Sequence, residues 1–221
     1  MRLFSKQFAV LAILAGAALV VSSSSAHATF TLTLQSGGVT QTFGDGGTGH
    51  IVVGTTIGAF TFQGDVGNSD SSGRSDPAIL SLAETSITSA SGGTLTITLT
   101  DNGFVAPAGP VNVTTALTTL LLTSGGSVSE ATLVNGTQVG STLMLSSLAT
   151  ATGGGTATVG TPFTLSNVTT ITLGAGGMVL STGASTVSGA AVVPEPATLA
   201  MVFSVLPLLG LGAWRNRRKS V

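Results

Sequence analysis

The stretch GDVGNSDSSGRSD, from Gly64 to Asp76, holds the densest set of oxygen donors in the chain. Counted from Asn68, side-chain oxygens fall at Asn68, Asp70, Ser72 and Asp76 with Gly73 at the sixth place, the spacing with which an EF-hand loop wraps calcium. The twelfth place is Ile79 rather than glutamate and no helical pattern flanks the loop, so an EF-hand is excluded. What remains is a looser calcium site on Asn68, Asp70 and Asp76, or a solvated loop. A second stretch, GDGGTGH at 44–50, has the glycines of a phosphate cradle but neither its lysine nor its following helix, and reads as a turn.

Catalysis is poorly provided for. Between residues 29 and 193 there is one histidine, His50, one arginine, Arg74, and seven scattered carboxylates. There is no cysteine, and no serine stands in a G-x-S-x-G elbow. A hydrolase needs a nucleophile, a base and an orienting acid, so the inventory argues against an enzyme and implies no cofactor. His50, between Gly49 and Ile51, reads as a polar residue at a strand edge.

Charge is scarce and unevenly placed. Only 7% of the 221 residues are charged, and six of the seven basic residues, Arg2, Lys6, Arg215, Arg217, Arg218 and Lys219, sit at the two ends. The interval between them is mildly acidic. Nucleic-acid binding, which depends on clustered Lys and Arg to displace counterions, is therefore excluded.

The ends read as addresses. Arg2 and Lys6 precede an apolar run from Phe8 to Val21 and the small-residue site Ala26-His27-Ala28. This is the order of a signal peptide, with cleavage expected after Ala28 by signal peptidase following passage through the secretion translocon. At the far end Ala197 to Trp214 is apolar over about 18 residues, which as a helix would rise roughly 27 Å, nearly the hydrocarbon thickness of a bilayer. The basic stop Arg215, Arg217, Arg218 and Lys219 should stay cytoplasmic, which puts the body on the outer side.

Ahead of that helix, the prolines of Pro194-Glu195-Pro196 fix φ and push their preceding residues out of the helical region, keeping the triplet extended. VPEPATLAM, the apolar segment and the basic terminus together resemble the C-terminal sorting signal of the PEP-CTERM family, exported proteins of Gram-negative bacteria that make extracellular polysaccharide. The resemblance covers about 29 residues. It implies that Pro194, Glu195 and Pro196 are the recognition motif of an exosortase, which processes the tail after transient anchoring in the cytoplasmic membrane. The same tail is sometimes labelled an ice-binding protein C-terminal domain, a label silent on what the body binds.

The expected organisation is a signal peptide at 1–28, a body at 29–190 and a sorting signal at 191–221. The body alternates with period two: in GTLTITLTD, Leu95, Ile97 and Leu99 fall on one face and Thr94, Thr96, Thr98 and Thr100 on the other. Similar runs stand at 29–35, 50–63, 78–89, 112–123, 127–134, 138–147, 156–165, 168–173 and 178–187, punctuated by Gly, Asn and Asp turn signals. The pattern predicts an all-β antiparallel sandwich or jelly roll, with LTTLLL at 117–122 as a central strand. A parallel β-helix is the second choice, disfavoured because no fixed repeat is found.

Three roles follow for the body. The first is an exported structural or interaction protein of the cell surface or matrix, associated with exopolysaccharide. The second is a lectin-like carbohydrate-binding module, which ordinarily stacks sugars on exposed aromatics; the phenylalanines Phe43, Phe60, Phe62, Phe104 and Phe163 read mostly as core. The third, ice binding by Thr-x-Thr arrays, competes with the ordinary use of threonine on a wet strand face. Asn112, Asn135 and Asn167 each begin an N-x-T glycosylation pattern, and the dense Ser and Thr could carry O-linked sugar.

Overall fold

The computed structural model describes residues 29–70 and 77–190, without the side chains of 64–66 and 84–85. The expected signal peptide with Ala26 and Ala28, the expected sorting motif Pro194-Glu195-Pro196, the apolar segment after it and Arg215, Arg217, Arg218 and Lys219 lie outside the described residues. So do Ser72, Gly73 and Asp76 of the oxygen-rich loop.

Every regular element among the described residues is a strand: β1 (Phe30–Ser36), β2 (Val39–Gly44), β3 (His50–Ile57), β4 (Phe60–Ser69), β5 (Ala78–Ser89), β6 (Gly93–Phe104), β7 (Gly109–Leu122), β8 (Ser127–Val134), β9 (Thr137–Gln138), β10 (Leu143–Leu145), β11 (Ala149–Val159), β12 (Phe163–Leu173) and β13 (Met178–Gly189). No helix among these residues is long and apolar enough to cross a membrane. The strands form two sheets. One runs β10-β8-β12-β6-β1-β2 with β9 paired to β8, the other β11-β7-β13-β5-β4-β3. All pairings are antiparallel, so the body is an antiparallel β-sandwich and not a β-helix.

The period-two sequence explains the layering. Along β6 the buried Leu95, Ile97 and Leu99 alternate with the partly exposed threonines Thr96, Thr98 and Thr100. β1 inserts Leu32 and Leu34 beside them through the register Leu32↔Leu99 and Leu34↔Ile97. β12 adds Leu165, Ile171 and Leu173 on the same inner side, and the facing sheet contributes Phe60, Phe62, Leu80, Leu82, Ile87, Val111, Val113 and Leu117. The rings of Phe104 and Phe163 stack with centroids 5.4 Å apart, where β6 and β12 meet at one end. Four of the five phenylalanines named above are buried; Phe43 on β2 is partly so.

Several expected boundaries are corrected. The run 50–63 is two strands, because Gly58 adopts φ 55° and lets Ile57 and Phe60 face each other across a tight hairpin. The run 138–147 yields only the short β9 and β10. The run 156–165 is broken at Gly160–Pro162 and divided between β11 and β12. The stretch 39–44, outside every expected run, forms β2 at a sheet edge. LTTLLL lies in β7, paired on both sides but one strand from the edge, and Leu120 and Leu121 are exposed rather than central.

Candidate functional site

The oxygen-rich loop begins where β4 ends, beside β3. His50 and Asn68 are register partners on these strands, and His50 Nδ1 and Asn68 Oδ1 share a hydrogen bond of 2.7 Å. The Asp70 carboxylate accepts the Ile79 amide at 2.7 Å, closing the loop's base. Ser69 Oγ donates to Asp101 Oδ2, and Asp101 Oδ1 accepts the Gly103 amide. Each of these polar groups is thus occupied in holding strand ends together. No set of three or more His, Asp or Glu side chains among the described residues is placed to hold a metal ion. The GDGGTGH stretch is a turn: Asp45 Oδ2 accepts the Gly49 amide at 2.7 Å, and Gly46, Gly47 and Gly49 all take positive φ.

The outer faces of both sheets are ladders of hydroxyl groups. On the first sheet, the row Thr31–Thr100–Ser166 and the pairs Thr33–Thr98 and Thr96–Thr170 follow from the register of β1, β6 and β12. On the second, the row Thr150–Thr118–Thr182 runs across β11, β7 and β13, and the pair Thr114–Thr186 across β7 and β13. None of β1, β6, β12, β8, β11, β7 and β13 puts a charged side chain on these faces. Individual pairs bond directly, as Thr94 with Thr172 at 3.3 Å and Thr118 with Thr150 at 3.0 Å. Exposed Thr–Thr pairs are common wherever a sheet wets one face, so the ladders alone assign no ligand.

A concave site lies where β8 turns into β9 opposite the edge strand β11. The turn is Asn135-Gly136, with φ of 50° and 77°, the conformation that favours this dipeptide in a two-residue hairpin. Asn135 fastens it to the start of β12: its Oδ1 accepts the Thr164 amide at 2.9 Å and its own amide donates to the Thr164 carbonyl. Between the turn and β11 is a groove of about 390 Å³ lined by Val134, Asn135, Thr137, Gln138, Thr156 and Thr158 among others. Gln138 Nε2 donates to the Gly140 carbonyl at 3.2 Å and to Thr142 Oγ1 at 3.1 Å, fixing the amide on one wall. Gly153 and Gly155 of β11 keep the opposite side low, since β-carbons there would press on Leu143, Val139 and Gly140. The lining is hydroxyl, amide and aliphatic, without a charged or aromatic side chain. The sequence marked Asn135 as a turn signal and as a glycosylation pattern but did not reveal the groove, because the walls come from segments some twenty residues apart.

Between the sheets runs a layer of buried polar groups that sequence reasoning also missed. Thr132 of β8 bonds Thr115 of β7 at 2.6 Å and Ser185 of β13 at 2.5 Å, and donates to Asn167 Oδ1 at 3.4 Å. Asn167 Nδ2 in turn donates to the Leu80 carbonyl, so this N-x-T asparagine is buried and engaged, whereas Asn112 and Asn135 are exposed. One residue pair along, Glu130 of β8 is 1% exposed and neither carboxyl oxygen has a hydrogen-bond partner; the buried Ser181 hydroxyl of β13 has none either. Desolvation by burial pushes the Glu130 carboxyl from its ordinary 4.5 up to about 8. Strict alternation along SVSEATLV places Glu130 on the inner face, which was the available signal.

No family model and no curated protein matches the chain. Among solved structures, a PA14 sugar-binding domain from an RTX adhesin aligns over 71% of this chain and 88% of its own, at 15% identity and a TM-score of 0.32. That likeness is too slight to transfer anything from one chain to the other.

Proposed function

We propose that this chain is an exported, non-catalytic β-sandwich module that contacts neutral polysaccharide at the cell surface or in the extracellular matrix. The observation carrying this reading is the groove between β9 and β11: a concavity able to hold a sugar ring or two, walled by hydroxyl and amide groups and free of charge. Neutral glycans present the matching donors and acceptors, and a wall without charge leaves none to desolvate. The absence of an aromatic platform makes the contact weak per site, which suits a module held in a matrix by many contacts. The polar side chains at the strand ends, His50, Asn68, Asp70 and Asp101, are engaged in turns and strand pairing and do not line the groove.

Delivery rests on the sequence. In this reading the signal peptide exports the body, the apolar segment after Pro196 holds it transiently in the cytoplasmic membrane, and exosortase acts at Pro194-Glu195-Pro196 before release to the surface. Two measurements separate the parts. Replacing the triplet by alanines should leave the protein in the membrane fraction at unprocessed mass; unchanged mass and location would sink the sorting reading. Titration with neutral oligosaccharides of six sugars should shift amide resonances at Thr137, Gln138, Thr156 and Thr158, and Gln138→Ala should weaken binding several-fold. Shifts spread over the outer Thr faces, or none with either neutral or acidic oligosaccharides, would overturn the groove assignment.

A further inference from the structure

Glu130 stands apart from the rest of the buried polar layer. Thr132, Thr115, Ser185 and Asn167 answer one another across the sheets, whereas the Glu130 carboxyl enters the same interior with no partner. It meets the backbone of Gly183 on β13, so closely that a β-carbon on that glycine would overlap Oε2 and crowd Cδ. The strand register sets Glu130 beside Thr169 of β12 and Leu143 of β10, with Leu117 of β7 beside Gly183 in the facing sheet. None of β7, β10, β11, β12 and β13 contains an Asp, Glu, His, Lys or Arg. On β5, beyond β13, stands Glu84, whose side chain is outside the described ones. No cation among the described residues is therefore available to compensate a charge at Glu130.

We propose that Glu130, seated against Gly183, makes the seam between β8 and β13 proton-dependent: the sheets close over the neutral carboxyl, and ionisation loosens this side of the sandwich. An unpaired buried carboxylate is among the costliest groups a protein interior can hold, and the chain answers either by keeping the proton or by opening to water. The elevated proton affinity that burial gives this carboxyl places the changeover in mildly alkaline water. The opening would be local. β8 carries only β9 and the three-residue β10 beyond it, the smallest mass of sheet that can part from β13 without disturbing β1 and β6. The lock stands on this packing and does not depend on what the groove holds.

The chain contains three glutamates, Glu84, Glu130 and Glu195, so selective carboxyl ¹³C labelling of the full-length protein gives a spectrum that Glu130→Gln assigns directly. The Glu130 signal should be that of a neutral acid at about pH 6 and change over near the value of about 8 that burial sets. Amide exchange at β8 and β13, corrected for the pH dependence of the chemistry, should rise about tenfold or more on passing to about pH 9, that at β1 and β6 should not, and Glu130→Gln should remove the rise. If that variant does not fold, Glu84→Gln and Glu195→Gln identify the Glu130 signal by exclusion in folded protein. An ionised carboxylate at about pH 6, an exchange rise that survives in Glu130→Gln, or no rise in the parent protein would each overturn the proposal.

Discussion

The Glu130 carboxyl and the Gly183 backbone share one small volume from opposite sheets: the oxygen of the first lies where a β-carbon on the second would have to be. Gly183 is buried, extended and free of positive φ, so it is glycine for space and not for conformation. Gly183→Ala should therefore cost about 1–3 kcal/mol through overpacking. Chemical denaturation of the parent and variant reads this directly. Shortening the carboxyl in Glu130→Ala should relieve most of the penalty, so the double mutant should be more stable than the two single effects summed. Strict additivity would mean that the contact is not the cause.

Thr132 occupies the centre of the hydroxyl network, touching Thr115, Ser185 and Asn167 within 3.4 Å. Thr132→Val keeps the shape but removes the hydroxyl, leaving buried groups on β7 and β13 short of a partner, at a cost of about 1–3 kcal/mol. The matched change on the outer face, Thr94→Val, removes only the exposed pairing with Thr172 and should stay within about 0.5 kcal/mol. Equal effects in denaturant melts at the two sites would mean that the inner network contributes nothing specific.

Phe104 and Phe163 join the ends of β6 and β12 next to the register shift between Phe163 and Leu165. Phe104 is 2% exposed, and Phe104→Ala should cost about 3–5 kcal/mol by losing burial and leaving a cavity. Phe104→Leu, which refills most of that volume, should recover more than half of the loss in thermal melts at matched protein concentration. No recovery would assign the loss to the ring stacking itself.

The sandwich was legible wherever one strand face is apolar and the other wet. GTLTITLTD, AILSLAETSITS and SVSEATLV appear as β6, β5 and β8 because side-chain alternation records burial residue by residue. The signal fades where both faces are open: Val39–Gly44 and the Ala–Thr–Gly run of β11 lie at sheet edges and bury little, and β11 finds its partner, β7, some thirty residues or more back along the chain. The oxygen-rich loop caught attention through composition, yet Asn68 and Asp70 serve His50 and the Ile79 amide. Glu130 had the opposite fate. Alternation along β8 puts its carboxyl inside, because inverting the strand would expose Val128, Thr132 and Val134 together. The residue it is packed against, Gly183, is some fifty residues away, beyond the reach of any local pattern.

The same carboxyl fixes how stability should vary with pH. Its folded value, about 8, lies above the ordinary 4.5 expected of the unfolded chain. Over the interval between them the folded protein keeps a proton that the unfolded chain has released, so raising the pH favours unfolding by about 1.4 kcal/mol per unit. The contribution is whole below the lower value, declines across the interval and is spent above the upper one, totalling at most about 5 kcal/mol. Opening of the seam would flatten the slope, since a carboxylate that reaches water ionises at lower cost. Denaturant unfolding of parent and Glu130→Gln at unit steps across this range isolates the effect, because every other titrating group is common to both. The parent should lose stability relative to the variant as pH rises; a difference that is constant, or grows in the parent's favour, would show that Glu130 is not the neutral buried acid its packing against Gly183 requires.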